Sequence, residues 1–120
     1  MNDLSSILTS IKKLLGVAEE YTYFDSDIIM HINSVFMFLT QMGVGPKEGF
    51  FIEDDTAAWV DYIPDSPLLN SIKSYMYLRV KLLFDPPISS AAIESMNRMI
   101  DEFEWRINDE ADGKNTEGEN

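Results

Sequence analysis

Side chains able to do chemistry are few and scattered in this chain. His31 is its one histidine, and cysteine is absent. A nucleophile and its base must lie within hydrogen-bond reach of each other. The nearest acid to His31 at helical spacing is Asp27, four residues earlier, and that pair reads as an ordinary helical ion pair rather than a general base. Asp25 and Asp27 alternate as a calcium loop begins, but the glycine turn and the closing bidentate glutamate do not follow at the required spacing. Capping of a helix explains Asp25 better. Glu53, Asp54 and Asp55 offer oxygen ligands to a hard cation, yet nothing fixes the remaining ligands, so a solvated acidic loop is the plainer reading. No phosphate loop, dinucleotide fingerprint or zinc spacing occurs. The expectation is a chain with no catalytic residue, no metal and no cofactor, and not an enzyme.

Composition narrows the class further. The 120 residues are 45% hydrophobic, enough for one domain with a modest core and too short for two. Nine basic residues against 21 acidic ones give a formal charge of −12. That excludes a grip on nucleic acid through neutralised phosphates. Acidity serves solubility in the bland account; in the sharper one it lets a surface face DNA without adhering to it. The N-terminus has no basic region followed by an unbroken apolar stretch, and no run approaches the ~18 apolar residues of a membrane span. A soluble product of the cytoplasm, not bound to membrane, is expected.

The organising element is the stretch 67–87. Leu68, Leu69, Ile72, Tyr75, Met76, Leu78, Val80, Leu82 and Leu83 cover more than one helical face, as in the central helix of a bundle. Ser66 can cap it, Pro67 suits its first position, and Pro86 and Pro87 stop it near Phe84. Before it, Leu4, Ile7, Leu8, Ile11, Leu14 and Leu15 make a single stripe, with Asp3 as cap and Gly16 as terminator. Lys12 and Lys13 stand in the last turn of that helix, where its dipole favours cations. A second helix starts at Asp25, with Phe24 as a staple on Ile29. A last helix follows Ser89, its stripe running from Ile88 through Ala92, Ile93, Met96, Met99, Ile100 and Phe103 to Ile107. Glu94–Arg98 and Glu102–Arg106 are i,i+4 pairs on its polar side.

The periodicity therefore predicts an all-α fold. It is a small four-helix bundle, with helices near 4–15, 26–42, 67–84 and 88–108, and a long loop or weak hairpin between helices two and three. Within that loop, 57–63 reads as a short strand anchored by Trp59 and Tyr62. The domain spans 1–108, and 109–120 forms an acidic tail without large apolar residues, expected to be disordered. Met30, Met37, Phe38 and Tyr77 fall off the core stripes, and Phe51, Trp59 and Tyr62 give the loop more apolar area than a solvated connection needs. These seven are the candidate partner-binding residues.

The run from Tyr77 to Pro87, Tyr-Leu-Arg-Val-Lys-Leu-Leu-Phe-Asp-Pro-Pro, resembles the head-to-tail connector (adaptor) proteins of tailed bacteriophages. So do Ser89 to Met96 and Glu102 to Arg106. Upstream, Asp27 to Ser34 and Gly43 to Pro46 are similar to the same family, in the branch of long-tailed phages and prophages of Gram-positive hosts. The likeness covers about Leu4 to Ile107. It implies a virion structural protein at the head–tail junction, made in the host bacterial cytoplasm. It also implies a homo-oligomeric ring, dodecameric when assembled, beneath the portal protein. The ring would extend the DNA channel and receive a stopper or tail-completion protein, with DNA passing through unbound. Glu53, Asp54 and Asp55 are then candidate channel-facing acids. The competing reading is a small acidic binding or regulatory module that masks a basic partner.

Overall fold

The computed structural model describes the backbone of residues 5–119 and the side chains of residues 5–112. The element order is α1 (Ile7–Leu15), α2 (Asp25–Gln41), α3 (Trp59–Tyr62), α4 (Pro67–Phe84) and α5 (Ser90–Glu119). Among the described residues there is no strand, so the fold is all-α.

Helix α4 is the centre, packing against α1, α2 and α5. Ser66 Oγ accepts from Leu69 N and Pro67 occupies the first turn, which satisfies one orphan amide and removes another. Leu68, Leu69, Ile72, Tyr75, Met76, Leu78 and Val80 are all buried. At the far end Lys81 pairs with Asp85 at 2.8 Å, and the two prolines turn the chain back so that α5 runs along α4. The core is completed by Ile7, Leu8 and Ile11 from α1; by Ile28, Ile32, Val35, Phe36 and Leu39 from α2; and by Ile100 and Ile107 from α5.

Several boundaries differ from the sequence reading for identifiable reasons. Helix α1 is capped by Ser6, whose Oγ accepts from Thr9 N, and begins at Ile7; the expected cap Asp3 lies outside the described residues. Its end is as expected. Gly16 takes φ +82°, and its N–H and that of Val17 satisfy the carbonyls of Lys13 and Lys12. Asp25 is not a cap but the first helical residue of α2, because its carboxylate is drawn to Lys12. The expected strand at 57–63 makes only one antiparallel bridge, Ala58 to Ser6, since the segment opposite it turns into α1 at once. The Asp61 carboxylate then accepts from Ala58 N at 2.8 Å and starts α3.

Helix α5 continues through the expected boundary at 108 and buries Ala111, which extends the Ile100–Ile107 stripe by one turn. Its opening matches expectation, with Ser89 Oγ accepting from Ala92 N, but Ile88 is fully exposed rather than stapled and Met99 is 39% exposed. Glu102–Arg106 pairs at 2.7 Å; Glu94–Arg98 forms no ion pair among the described residues. Phe103 is half-buried against the core, so Phe103→Ala should lose about 2 kcal/mol, a fraction of the full-burial value. Arg98→Ala should stay within about 0.5 kcal/mol. Urea denaturation of both checks this, and equal losses would contradict the placement of α5.

Candidate interaction surfaces

The outer face of α2 carries Met30 and Met37 one heptad apart, 58% and 62% exposed. Beside them stands Asn33, whose side chain clamps a distant segment. Its Nδ2 donates to Ile52 O at 3.0 Å, and its Oδ1 accepts from Ile52 N at 2.8 Å. That pair of bonds does for residues 51–52 what a sheet partner does in a strand. In the extended segment so held, side chains alternate: Ile52 is buried and Phe51 is 67% exposed. The result is a groove of about 330 Å³ between α2 and the 48–51 segment, with Met37 and Phe51 on its walls. Phe51 is thus held outward by polar bonds on its neighbour Ile52, not left out by a poor fold.

Phe38 serves a different seam. The Arg79 guanidinium lies 4.4 Å from its ring centroid, while Arg79 Nη1 is 3.0 Å from Glu104 Oε2 and Tyr75 Oη donates to the same oxygen at 2.7 Å. One carboxylate of α5 therefore ties two residues of α4, and the arginine carries the tie on to α2. Burial, and then the bond to Glu104, push the Tyr75 phenol above the usual tyrosine range, partly opposed by Arg79; it stays a neutral donor. Tyr77 is half-buried against the core.

Trp59 and Tyr62, candidate partner-binding residues in the sequence as well as anchors of their segment, are turned inward. They are 2% and 4% exposed. Tyr62 packs 4.7 Å from Phe36 and 5.2 Å from Phe50, and Trp59 Nε1 donates to Ser10 Oγ at 2.9 Å. They are the anchors that fasten the 43–63 loop. Gly45 is required there, because at φ +82° a Cβ would meet the Tyr62 ring at 2.5 Å.

Glu53, Asp54 and Asp55 are exposed, at the rim of a depression shared with Asp25 and Ile29. Thr56 donates through its hydroxyl and its backbone N–H to Asp54 Oδ1, which holds that carboxyl below its ordinary range. Among the described residues no group of three His, Cys, Asp or Glu side chains is placed to hold a metal ion, and none of the ion pairs joins Asp27 to His31.

Among the described residues the geometry is one of outward apolar faces, with no three His, Cys, Asp or Glu side chains converging on a metal site. A model of the phage connector protein family matches residues 7–114, nearly the whole chain. The chain belongs to the phage connector protein family. Compared with curated proteins and with solved structures, it finds no match. Its family makes this connector a structural component of a phage virion, with other head and tail proteins as its partners. No helix among the described residues is long and apolar enough to cross a membrane.

Two features of the connector escaped the sequence reading. Trp105 is 69% exposed on α5. Its signal was its phase, five residues past Ile100 and two before Ile107, which turns it away from their stripe. Lys12, read as a solvated cation answering the dipole, is 2% exposed. Its Nζ donates to Glu19 O at 2.9 Å and Tyr21 O at 2.8 Å, and lies 2.8 Å from Asp25 Oδ1. The Asp25 contact is ionic only, since that oxygen makes no hydrogen bond in this geometry. No local pattern announces acceptors seven to thirteen residues away.

Proposed function

We propose that this connector assembles as a closed homo-oligomeric ring beneath the portal, prolonging the DNA channel and receiving a stopper or tail-completion protein. The observation that supports this best is the exposure of Met30, Met37 and Phe51. A heterologous contact repeated about one axis closes into a ring, and such a face fits one side of it. Phe38 and Tyr77, partly covered in the single chain, extend the same contact. Trp59 and Tyr62 contribute from beneath by fastening the 43–63 loop that carries Phe51. Glu53, Asp54 and Asp55 line the channel in this reading, so that phosphate is repelled and DNA slides through. The acidic segment after Asp109 contacts a neighbouring virion protein in this reading.

The test is Met37→Asp combined with Phe51→Ser. Both side chains are mostly exposed, so the melting temperature should hardly move. Electron microscopy of the variant with portal should show portal without the added ring. Normal rings would refute the assignment of this face. A compact one-to-one complex with a basic protein, and no ring from the unaltered chain, would favour the masking alternative.

A further inference from the structure

A second groove lies between α1 and α4, about 300 Å³ in volume and lined by Ser10, Ile11, Lys13, Leu14, Trp59 and Lys73. Leu14 is 55% exposed at its edge. The two lysines matter because cations are scarce here. Of the nine basic residues, Lys12, Arg79, Lys81 and Arg106 are held in ion pairs. Lys13 and Lys73 have no acidic partner among the described residues, and both converge on this apolar groove; Lys73 Nζ stands 5.9 Å from the Trp59 ring. In a chain of charge −12, an apolar slot bracketed by two cations without acidic partners is matched by an apolar knob bracketed by two anions.

The chain itself carries that knob. Trp105 projects from the outer side of α5, with exposed Asp101 and Asp109 one turn before and one turn after it. Neither acid is ion-paired among the described residues, and about 12 Å of helix separates them. Groove and knob share no residue. We infer that Trp105 of one copy seats in the Leu14 groove of the next, with Asp101 and Asp109 against Lys13 and Lys73. This rests on the ring reading and deepens it, because two different patches give the contact a direction and every subunit uses both. An indole mostly exposed before assembly supplies the buried anchor, and the charges set the register.

Charge reversal in the full chain tests this, with circular dichroism melting as the check on folding. The readout is ring occupancy on purified portal by electron microscopy and sedimentation. K13E/K73E and D101K/D109K should each lower occupancy about tenfold or more, and the quadruple variant, with both patches reversed, should recover it. Rings that form equally well with either reversal would overturn this contact and leave the ring standing. Loss in both doubles without recovery in the quadruple would overturn the direct pairing. If K13E/K73E copies still associate with one another but leave the portal, the groove belongs to the portal and this inference fails. Absence of any ring from the unaltered chain would remove the ring reading and the inference together.

Discussion

Trp59→Ala should lower stability by about 3 to 5 kcal/mol, the range for truncating a fully buried large aromatic. The indole is 2% exposed and packs 6.3 Å from Phe36, and its N–H would leave Ser10 Oγ without a donor. Folding free energies are themselves about 5 to 15 kcal/mol, so the loss would be a large part of the whole. The effect should spread along the loop, because Trp59 N also donates to Ser5 O at 3.0 Å and Ile7 N to Ala57 O at 3.0 Å. Val60→Ala, one residue on and 62% exposed, should change stability by less than about 0.5 kcal/mol. Urea denaturation of the two variants measures the contrast. Similar losses would mean that the loop is not fastened through Trp59.

Lys12→Ala is the second large effect. Removing one member of a buried pair costs about 3 to 5 kcal/mol, and the quarter exposure of the Asp25 side chain reduces that to about 2 to 4. Three partners lose the ammonium at once: the carbonyls of Glu19 and Tyr21 lose their donor, and the Asp25 carboxylate loses its counter-charge. Asp25→Ala removes one partner of three and should cost less. The ammonium fastens the link from α1 to α2 around a single point, so amides of residues 17–24 should exchange faster in Lys12→Ala. A loss no greater than that of Arg98→Ala would show that the site is solvated after all.

How far this molecule can be read from its sequence depends on whether the deciding interaction is local. Ser66-Pro67, Gly16 and Pro86-Pro87 act within a turn of where they stand, and the structure places helix ends at each. Apolar periodicity placed α4 at the centre because a helix apolar on several sides needs several neighbours. Residues 57–63 failed on a non-local matter, since a strand needs a partner and the segment before α1 offers one bridge only. Trp59 and Phe51 show the same limit in the candidate site. Both are aromatic residues in one loop, and nothing in their types says that Trp59 turns inward while Asn33, nineteen residues before Ile52, holds Phe51 out. Ala111 was hidden by its polar neighbours, although the i+4 step from Ile107 was there to be followed.

Electron cryomicroscopy of the unaltered connector bound to its portal bears most directly on the central claim. The expected map shows a closed ring of identical subunits under the portal, with Met37 and Phe51 covered and the 53–55 acids on the inner wall. A portal carrying no ring, or a ring whose inner wall is basic and whose Met37 and Phe51 still face solvent, would contradict it.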